Sequence, residues 1–183
     1  ALSLRFSKDG RAGGQQHGLP ASDLAFASPQ TRRNTVTEQL PAALRQGGFN
    51  RISMGLQSAS PAQLRDLGRT HTAEKAAEAV QIVRAAGFRN LSLDLMLGLP
   101  HQTVEEVLGS IRFAAELGAV HLSAYMLQLE EGTPYAARYT ESDIDEETQR
   151  QIYLAAIAEL ERLGFSAAER QGIASENLLR VLE

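Results

Sequence analysis

The sequence predicts an α/β fold in which a small parallel sheet is covered by helices. Segments with helical periodicity alternate with short apolar segments, which recur roughly every 35–40 residues. Most predicted helices begin at a capping residue and end at a glycine. This alternation is typical of βαβ units, whose strands are parallel and whose crossovers are right-handed. With 183 residues, of which 43% are hydrophobic, the chain can form one domain with a sizeable core.

The predicted elements alternate between helix and strand from residue 38 to residue 163. Thr72 and Thr103 are placed to cap two of the helices, and glycine or proline marks most borders. The strand at Leu91–Leu97 is almost continuously apolar, which predicts that both of its faces are covered. The predicted helices span residues 38–46, 62–67, 73–86, 104–117 and 145–163, and the predicted strands span residues 51–57, 91–97 and 121–129.

Two flanking segments lack this pattern. Residues 1–33 are rich in Gly, Ser, Gln, Ala and Arg, and we predict that they are irregular or disordered, with Leu24–Ala27 as the only strand-like piece. Residues 34–140 are well patterned, and residues 141–183 are acidic and helical. Residues 166–183 are ambiguous, and a terminal helix from Ser175 is one interpretation.

The composition excludes several classes of function. A net charge of −4 and a pI near 5.6 argue against a nucleic-acid partner, because such proteins usually carry a basic face. The sequence contains no cysteine, so it offers no disulfide, no thiolate metal ligand and no cysteine nucleophile. No apolar run reaches the roughly 18 residues of a membrane span, and the first residues do not resemble a signal peptide. We therefore expect a cytoplasmic protein.

Polar side chains at the predicted strand ends are the candidate functional residues. Ligands of parallel α/β sheets bind at the carboxyl ends of the strands, which points to Gln57, Asp94 and Gln128. Asp94 is a carboxylate inside an apolar strand, where an unpaired charge is unfavourable. The explanations that stay open are structural, in which it pairs with an arginine such as Arg69 or caps a loop, and functional, in which it accepts hydrogen bonds from ligand hydroxyls, as in a ribose diol.

Two connections between elements add weaker signals. Arg69 lies between a strand and a helix, where its guanidinium can clamp a carboxylate through two hydrogen bonds. The turn Gly98–Thr103 leads into a helix N-terminus, whose N–H groups can approach a ligand. A lone histidine such as His71 is more often structural than catalytic. The histidines at 71, 101 and 121 lack the spacing of metal ligands, so we predict no zinc site.

Five segments share the order and spacing of landmarks in one known family. They are Asn50–Ser58, Leu67–Thr72, Asp94–Thr103, His121–Tyr125 and Glu130–Pro134. Together they resemble the oxygen-independent coproporphyrinogen III oxidase-like branch of radical SAM proteins, and within it the haem-chaperone (HemW) subgroup. The resemblance runs from about Asn34 to Phe165.

The resemblance implies a partial TIM-like (β/α) barrel of about three to four parallel strands, with an irregular N-terminal segment and a C-terminal helix. It implies that S-adenosylmethionine binds at the strand ends and contacts Gln57, Arg69 and Asp94. Gln128 falls on a further contact, at a position where the family does not constrain the residue type. The resemblance also implies a role in porphyrin or haem metabolism, with haem as another ligand.

The sequence departs from this family where the family binds its [4Fe-4S] cluster. The CxxxCxxC loop is missing, the glycine-rich segment for the methionine part of the cofactor is missing, and Gln30–Arg33 replaces Glu-Ala-Asn-Pro. The HNxxYW motif is absent as well. We therefore interpret the chain as an internal fragment that keeps part of the S-adenosylmethionine pocket and is inactive alone. The alternatives are a non-catalytic nucleoside- or haem-binding remnant, an inactive truncated product, or a chain that self-associates through an open sheet edge.

Overall fold

The computed structural model describes residues 4–7 and 39–165, which form one four-stranded sheet and five α-helices. The strands follow one another across the sheet in sequence order: β1 (Leu4–Ser7), β2 (Arg51–Gln57), β3 (Asn90–Leu97) and β4 (His121–Met126). The strands β2, β3 and β4 are parallel. The predicted α/β class with a small parallel sheet is therefore confirmed.

The strand β1 was not predicted, because it lies in the segment that we expected to be irregular. It pairs antiparallel with β2, with Leu4 opposite Met54. Leu4–Ser7 alternates apolar and polar residues, the period of a strand, so a short local signal existed that the prediction missed, and pairing with β2 completes the strand. The strand-like piece at Leu24–Ala27 and the tail of residues 166–183 lie outside the described residues.

The five helices agree with the prediction to within one residue at each end. They are α1 (Gln39–Gln46), α2 (Pro61–Asp66), α3 (Ala73–Ala85), α4 (Val104–Glu116) and α5 (Glu146–Arg162), and a short 3₁₀ turn lies at Glu141–Asp143. Both predicted caps are present: the Thr72 side chain accepts from the N–H of Lys75, and Thr103 forms a capping box with Glu106. Within the described residues, no helix has the length and apolar character that a membrane crossing requires.

The strand β4 ends three residues earlier than predicted. The N–H of Leu127 donates to the carbonyl of Leu97 at 2.8 Å, and β3 itself ends at Leu97. Beyond this bond β3 offers no further backbone partner, so the chain leaves the sheet despite its apolar character. Gln128, predicted inside the strand, consequently lies in the loop that follows it.

The two faces of the sheet differ in chemistry. One face is apolar and packs against buried residues of α3, α4 and α5. The other face carries Ser53, Ser92, Asp94, His121 and Ser123 from the three parallel strands, since side chains of strand residues two apart share a face. Ser92 and Asp94 are nevertheless buried, so β3 is covered on both faces as predicted.

An ion-pair cluster joins α4 to α5 over the apolar face. Glu159 is only 7% exposed, and its carboxylate accepts from Arg112 and Arg162 at 2.7 Å each. Hydrogen bonds from Arg162 and Arg112 lower the pKa of Glu159 to about 2. The ionised carboxylate is therefore favoured by folding, and its loss would leave two guanidinium groups without this partner.

We expect the stabilisation from Glu159 to depend on pH. Because the pKa of Glu159 is about 2 in the folded chain and 4.5 is its ordinary value, the contribution is complete above pH 4.5 and is lost as the pH falls towards 2. Urea unfolding of the wild type and Glu159→Gln should therefore differ at pH 7 and converge at low pH. A difference that stays constant from pH 7 to pH 3 would contradict this assignment.

Candidate functional site at the carboxyl ends of the strands

The candidate residues lie on the parallel strands or in the connections that follow them. Gln57 is the last residue of β2, Asp94 lies inside β3, and Gln128 follows the end of β4 by two residues. Arg69 lies in the connection between α2 and α3, which also follows β2. Parallel strands place their carboxyl ends at one edge of the sheet, so Gln57 and Gln128 lie at the same edge, whereas Asp94 lies three residues before the end of β3.

Asp94 is a buried carboxylate on the polar face of the sheet. It is 5% exposed, and its Oδ1 accepts from the Ser53 hydroxyl at 2.9 Å. In the register it lies between Gly55 on β2 and Ser123 on β4. The ion pairs among residues 39–165 do not include one between Asp94 and Arg69, so the simple pairing that the sequence left open is not observed.

Gln57 occupies an unusual backbone conformation. Its φ is +68°, a value that non-glycine residues seldom adopt. The N–H of Ser58 donates to the carbonyl of Leu56 at 2.9 Å, which closes a three-residue γ-turn around Gln57. The pairing of β2 with β3 also shifts between Gly55 and Gln57, so a bulge ends the strand. Bulges of this kind redirect the terminal side chain.

The connection from α2 to α3 contains two buried nitrogen atoms without hydrogen-bond partners. Among the described residues, none pairs with Nε of Arg69 or with Nδ1 of His71. The other ring nitrogen of His71, Nε2, lies 3.2 Å from the carbonyl oxygen of Leu56. Burial lowers the pKa of His71, with the hydrogen bond to Leu56 acting in the opposite direction, so the ring is neutral at pH 7. Buried polar atoms normally have hydrogen-bond partners, so two unpaired nitrogen atoms close together in sequence are a feature that a ligand-binding site would explain.

Gln128 is exposed and lines a cavity of about 220 Å³. Leu67, two residues before Arg69, and Tyr135 also line this cavity. The structure therefore places the loops that carry Arg69 and Gln128 next to each other. Three leucines make most of the lining apolar, whereas Glu130 and Thr133 supply polar atoms.

A cluster around Asp66 joins these two loops, and no sequence pattern selected it. The Asp66 carboxylate accepts from the hydroxyls of Tyr135 at 2.7 Å and Tyr139 at 2.8 Å, and from Arg138 at 3.0 Å. Burial would raise the pKa of Asp66, but the two tyrosine hydrogen bonds and Arg138 outweigh it, so the pKa is lowered. The guanidinium of Arg138 also lies over both tyrosine rings.

A second buried network joins the ends of β2 and β3. The Gln63 amide oxygen accepts from the Ser58 hydroxyl at 2.6 Å and from the Gln102 amide at 3.1 Å. The Gln102 amide also donates to the carbonyl of Met96, near the end of β3. Gln102 lies in a segment that carried the family resemblance, whereas Gln63 had no sequence signal. Both contribute to the rim by holding loops in place.

The turn after β3 borders a separate cavity of about 190 Å³. His101, with a φ of +61°, lies there with Asp143 and Asp145 near the start of α5. Hydrogen bonds from Thr140 lower the pKa of Asp143, and those from Thr148 lower the pKa of Asp145. Within residues 4–7 and 39–165, no group of three or more His, Asp or Glu side chains is arranged to hold a metal ion.

A comparison with protein families decides the membership of the chain. The sequence model described as "Radical SAM superfamily" matches residues 21–114, just over half of the chain. The chain belongs to the radical SAM superfamily. This match includes Gln57, Arg69 and Asp94, and the resemblance predicted from the sequence is thereby confirmed.

Curated relatives show which members of the superfamily this radical SAM chain is similar to. The haem chaperone HemW of Escherichia coli is 39% identical over 120 residues, which are 66% of this chain and 32% of the relative. The haem chaperone HemW of Mycobacterium tuberculosis H37Rv is 31% identical over 155 residues, which are 83% of this chain and 40% of the relative. The radical SAM chain therefore spans roughly a third of the length of these relatives.

A solved structure supports the fold. The coproporphyrinogen III oxidase HemN of Escherichia coli, a radical SAM enzyme, superposes with a TM-score of 0.64 at 27% identity. The match covers 70% of the radical SAM chain and 30% of HemN. The predicted class, part of a TIM-like barrel of parallel strands and helices, is confirmed by this likeness together with the three parallel strands described above.

Proposed function

We propose that residues 34–165 form the S-adenosylmethionine-binding part of a barrel related to haem chaperones and coproporphyrinogen III oxidases. The observation that carries this proposal is Asp94, a buried carboxylate in the carboxyl-terminal half of β3 whose neighbour on β2 is a glycine. A carboxylate in this place can accept hydrogen bonds from both hydroxyls of a ribose. Gln57, at the end of the adjacent strand, adds an amide that both donates and accepts.

The residues present suit S-adenosylmethionine. Nε of Arg69 is buried without a partner among the described residues, and a guanidinium is well matched to the carboxylate of an amino acid. Gln128 lies on the apolar cavity beside Leu67, where a flat base would lose water-exposed surface. When bound, S-adenosylmethionine supplies an activated carbon–sulfur bond. The chain's own residues bind and orient it through Arg69, Asp94 and the two glutamines.

The residues present do not suit an iron–sulfur cluster. Such clusters are held by cysteine thiolates, and the sequence has no cysteine. We therefore derive no redox step for this chain, and we propose that alone it binds the cofactor without cleaving it reductively. Haem binding, suggested by the names of the relatives, is the competing ligand assignment.

Calorimetric titration tests the proposal. The wild-type chain should bind S-adenosylmethionine saturably, at one site, and adenosine should compete because it carries the ribose. Hemin, followed by its absorbance, is the comparison ligand. No heat with S-adenosylmethionine, or saturable binding of hemin alone, would refute the proposed function.

The variant Arg69→Gln tests the orientation of the ligand in the same assay. Its affinity for S-adenosylmethionine should fall about tenfold or more, because a charge-assisted hydrogen bond to the ligand carboxylate is lost. Its affinity for adenosine should be unchanged, since adenosine has no carboxylate. Equal losses for both ligands would place Arg69 elsewhere.

A further inference from the structure

The γ-turn at Gln57 is a strained conformation that local sequence does not favour. Gln57 has a φ of +68°, and the Leu56 carbonyl accepts from the N–H of Ser58 at 2.9 Å. A γ-turn with positive φ is rare, and residues held in such regions persist only when their surroundings over-determine them. The groups that hold this turn should therefore be identifiable around it.

His71 holds the turn from one side. Its Nε2 lies 3.2 Å from the Leu56 carbonyl oxygen, the same atom that accepts from Ser58. A carbonyl oxygen only accepts, so the proton of the neutral ring is on Nε2 and Nδ1 carries the lone pair. His71 is 4% exposed, and its Nδ1 has no hydrogen-bond partner among the described residues. The ring therefore satisfies the Leu56 carbonyl while its own acceptor stays unmet, which a purely local structural role does not explain.

Gln63 holds the turn from the other side through Ser58. The Ser58 hydroxyl donates to the Gln63 amide oxygen at 2.6 Å and accepts from the N–H of Ser60 at 2.9 Å. Ser58 is fully buried, and Gln63 is fixed in turn by the amide of Gln102. The residue after the turn cannot shift without breaking these bonds.

We propose that His71 and Gln63 are positioning residues that maintain the strained turn so that the amide of Gln57 faces the bound cofactor. The inference rests on the proposed function, because it assigns the strain to the presentation of a ligand-binding side chain. The bulge between Gly55 and Gln57 supports it, since that bulge ends the ladder one step beyond Asp94. The strained conformation is thus located beside the buried carboxylate.

Two substitutions at Gln57 separate strain from side-chain contact. Gln57→Gly removes the amide and relieves the strain, because glycine adopts positive φ freely, whereas Gln57→Ala removes the amide and keeps the strain. Both should bind S-adenosylmethionine about tenfold more weakly than the wild type. The melting temperature of Gln57→Gly should be higher than that of the wild type, whereas the melting temperature of Gln57→Ala should not. Equal melting temperatures of the glycine and alanine variants would show that the turn is not strained.

Two substitutions at His71 test the positioning role. His71→Leu removes the donor to Leu56 and should weaken S-adenosylmethionine binding about tenfold, whereas His71→Gln keeps a side-chain N–H at similar reach and should restore most of the affinity. In a Gln57→Ala background, His71→Leu should have no further effect on affinity, because no amide remains to be positioned. A His71→Leu variant with a lower melting temperature but the wild-type affinity for S-adenosylmethionine would show that His71 has only a structural role, and would overturn the proposal.

The outcomes distinguish this inference from the proposed function. If the wild type does not bind S-adenosylmethionine, the proposed function fails, and the positioning of Gln57 for that ligand fails with it. The melting comparison of Gln57→Gly with Gln57→Ala still decides whether the turn is strained. If the wild type and all His71 variants bind equally well, the proposed function survives and the positioning role is overturned.

Discussion

Phe88→Ala is expected to lower the free energy of unfolding by about 3–5 kcal/mol, a large fraction of the stability of a domain of this size. Phe88 is 1% exposed and lies in the main core cluster. It follows Gly87, whose φ of +92° reverses the chain after α3, and its N–H donates to the carbonyl of Val83 at 3.1 Å. The ring lies in the core directly after α3, and its removal leaves a cavity there.

Urea unfolding at pH 7 measures this loss, and Leu154→Ala is the matched control. Leu154 is also apolar but is 44% exposed on α5, so its truncation should change the free energy of unfolding by no more than about 0.5 kcal/mol. Similar losses for the two variants would mean that the core does not include Phe88. A change in the slope of unfolding with urea would instead indicate an altered denatured state.

The helices were predictable because residues close in sequence determine where each helix begins and ends. Thr72 and Thr103 accept hydrogen bonds from the first turns, and Gly87 and Gly118 adopt the positive φ that ends α3 and α4. The strand β1 was missed although Leu4–Ser7 alternates apolar and polar residues, because so short a signal becomes a strand only through pairing with β2. The early end of β4 has the same origin: it depends on where β3 stops.

The candidate site was predictable in part. Position at a strand end selected Gln57 and Asp94, and the family resemblance selected Arg69. Local patterns could not indicate Gln63 and Asp66, because these residues form hydrogen bonds with side chains that are far away in the sequence. The γ-turn at Gln57 was also invisible, because glutamine gives no signal for positive φ.

Asp94→Asn is expected to weaken S-adenosylmethionine binding about ten- to a hundredfold. Hydrogen bonds to a charged group contribute about 1.5–3 kcal/mol, and the variant loses the charge and one acceptor while keeping its shape. An asparagine oxygen can still accept from the Ser53 hydroxyl, as the carboxylate does at 2.9 Å, so the fold should be retained. Glu116→Gln is the control, because it removes one negative charge at an exposed position at the end of α4, which runs away from the rim.

A nucleoside without ribose hydroxyls shows whether Asp94 acts on the diol. The wild type should bind adenosine more tightly than 2′,3′-dideoxyadenosine, because only adenosine has the 2′- and 3′-hydroxyls that can donate to the carboxylate. In Asp94→Asn the preference for adenosine should be smaller. The difference between the wild-type and variant preferences, expressed as binding free energies, measures the interaction between the carboxylate and the hydroxyls. An unchanged preference would mean that Asp94 does not touch the ribose. Asp94 would then have a structural role that includes the hydrogen bond to Ser53, and the assignment of the pocket would fail at the residue on which it depends.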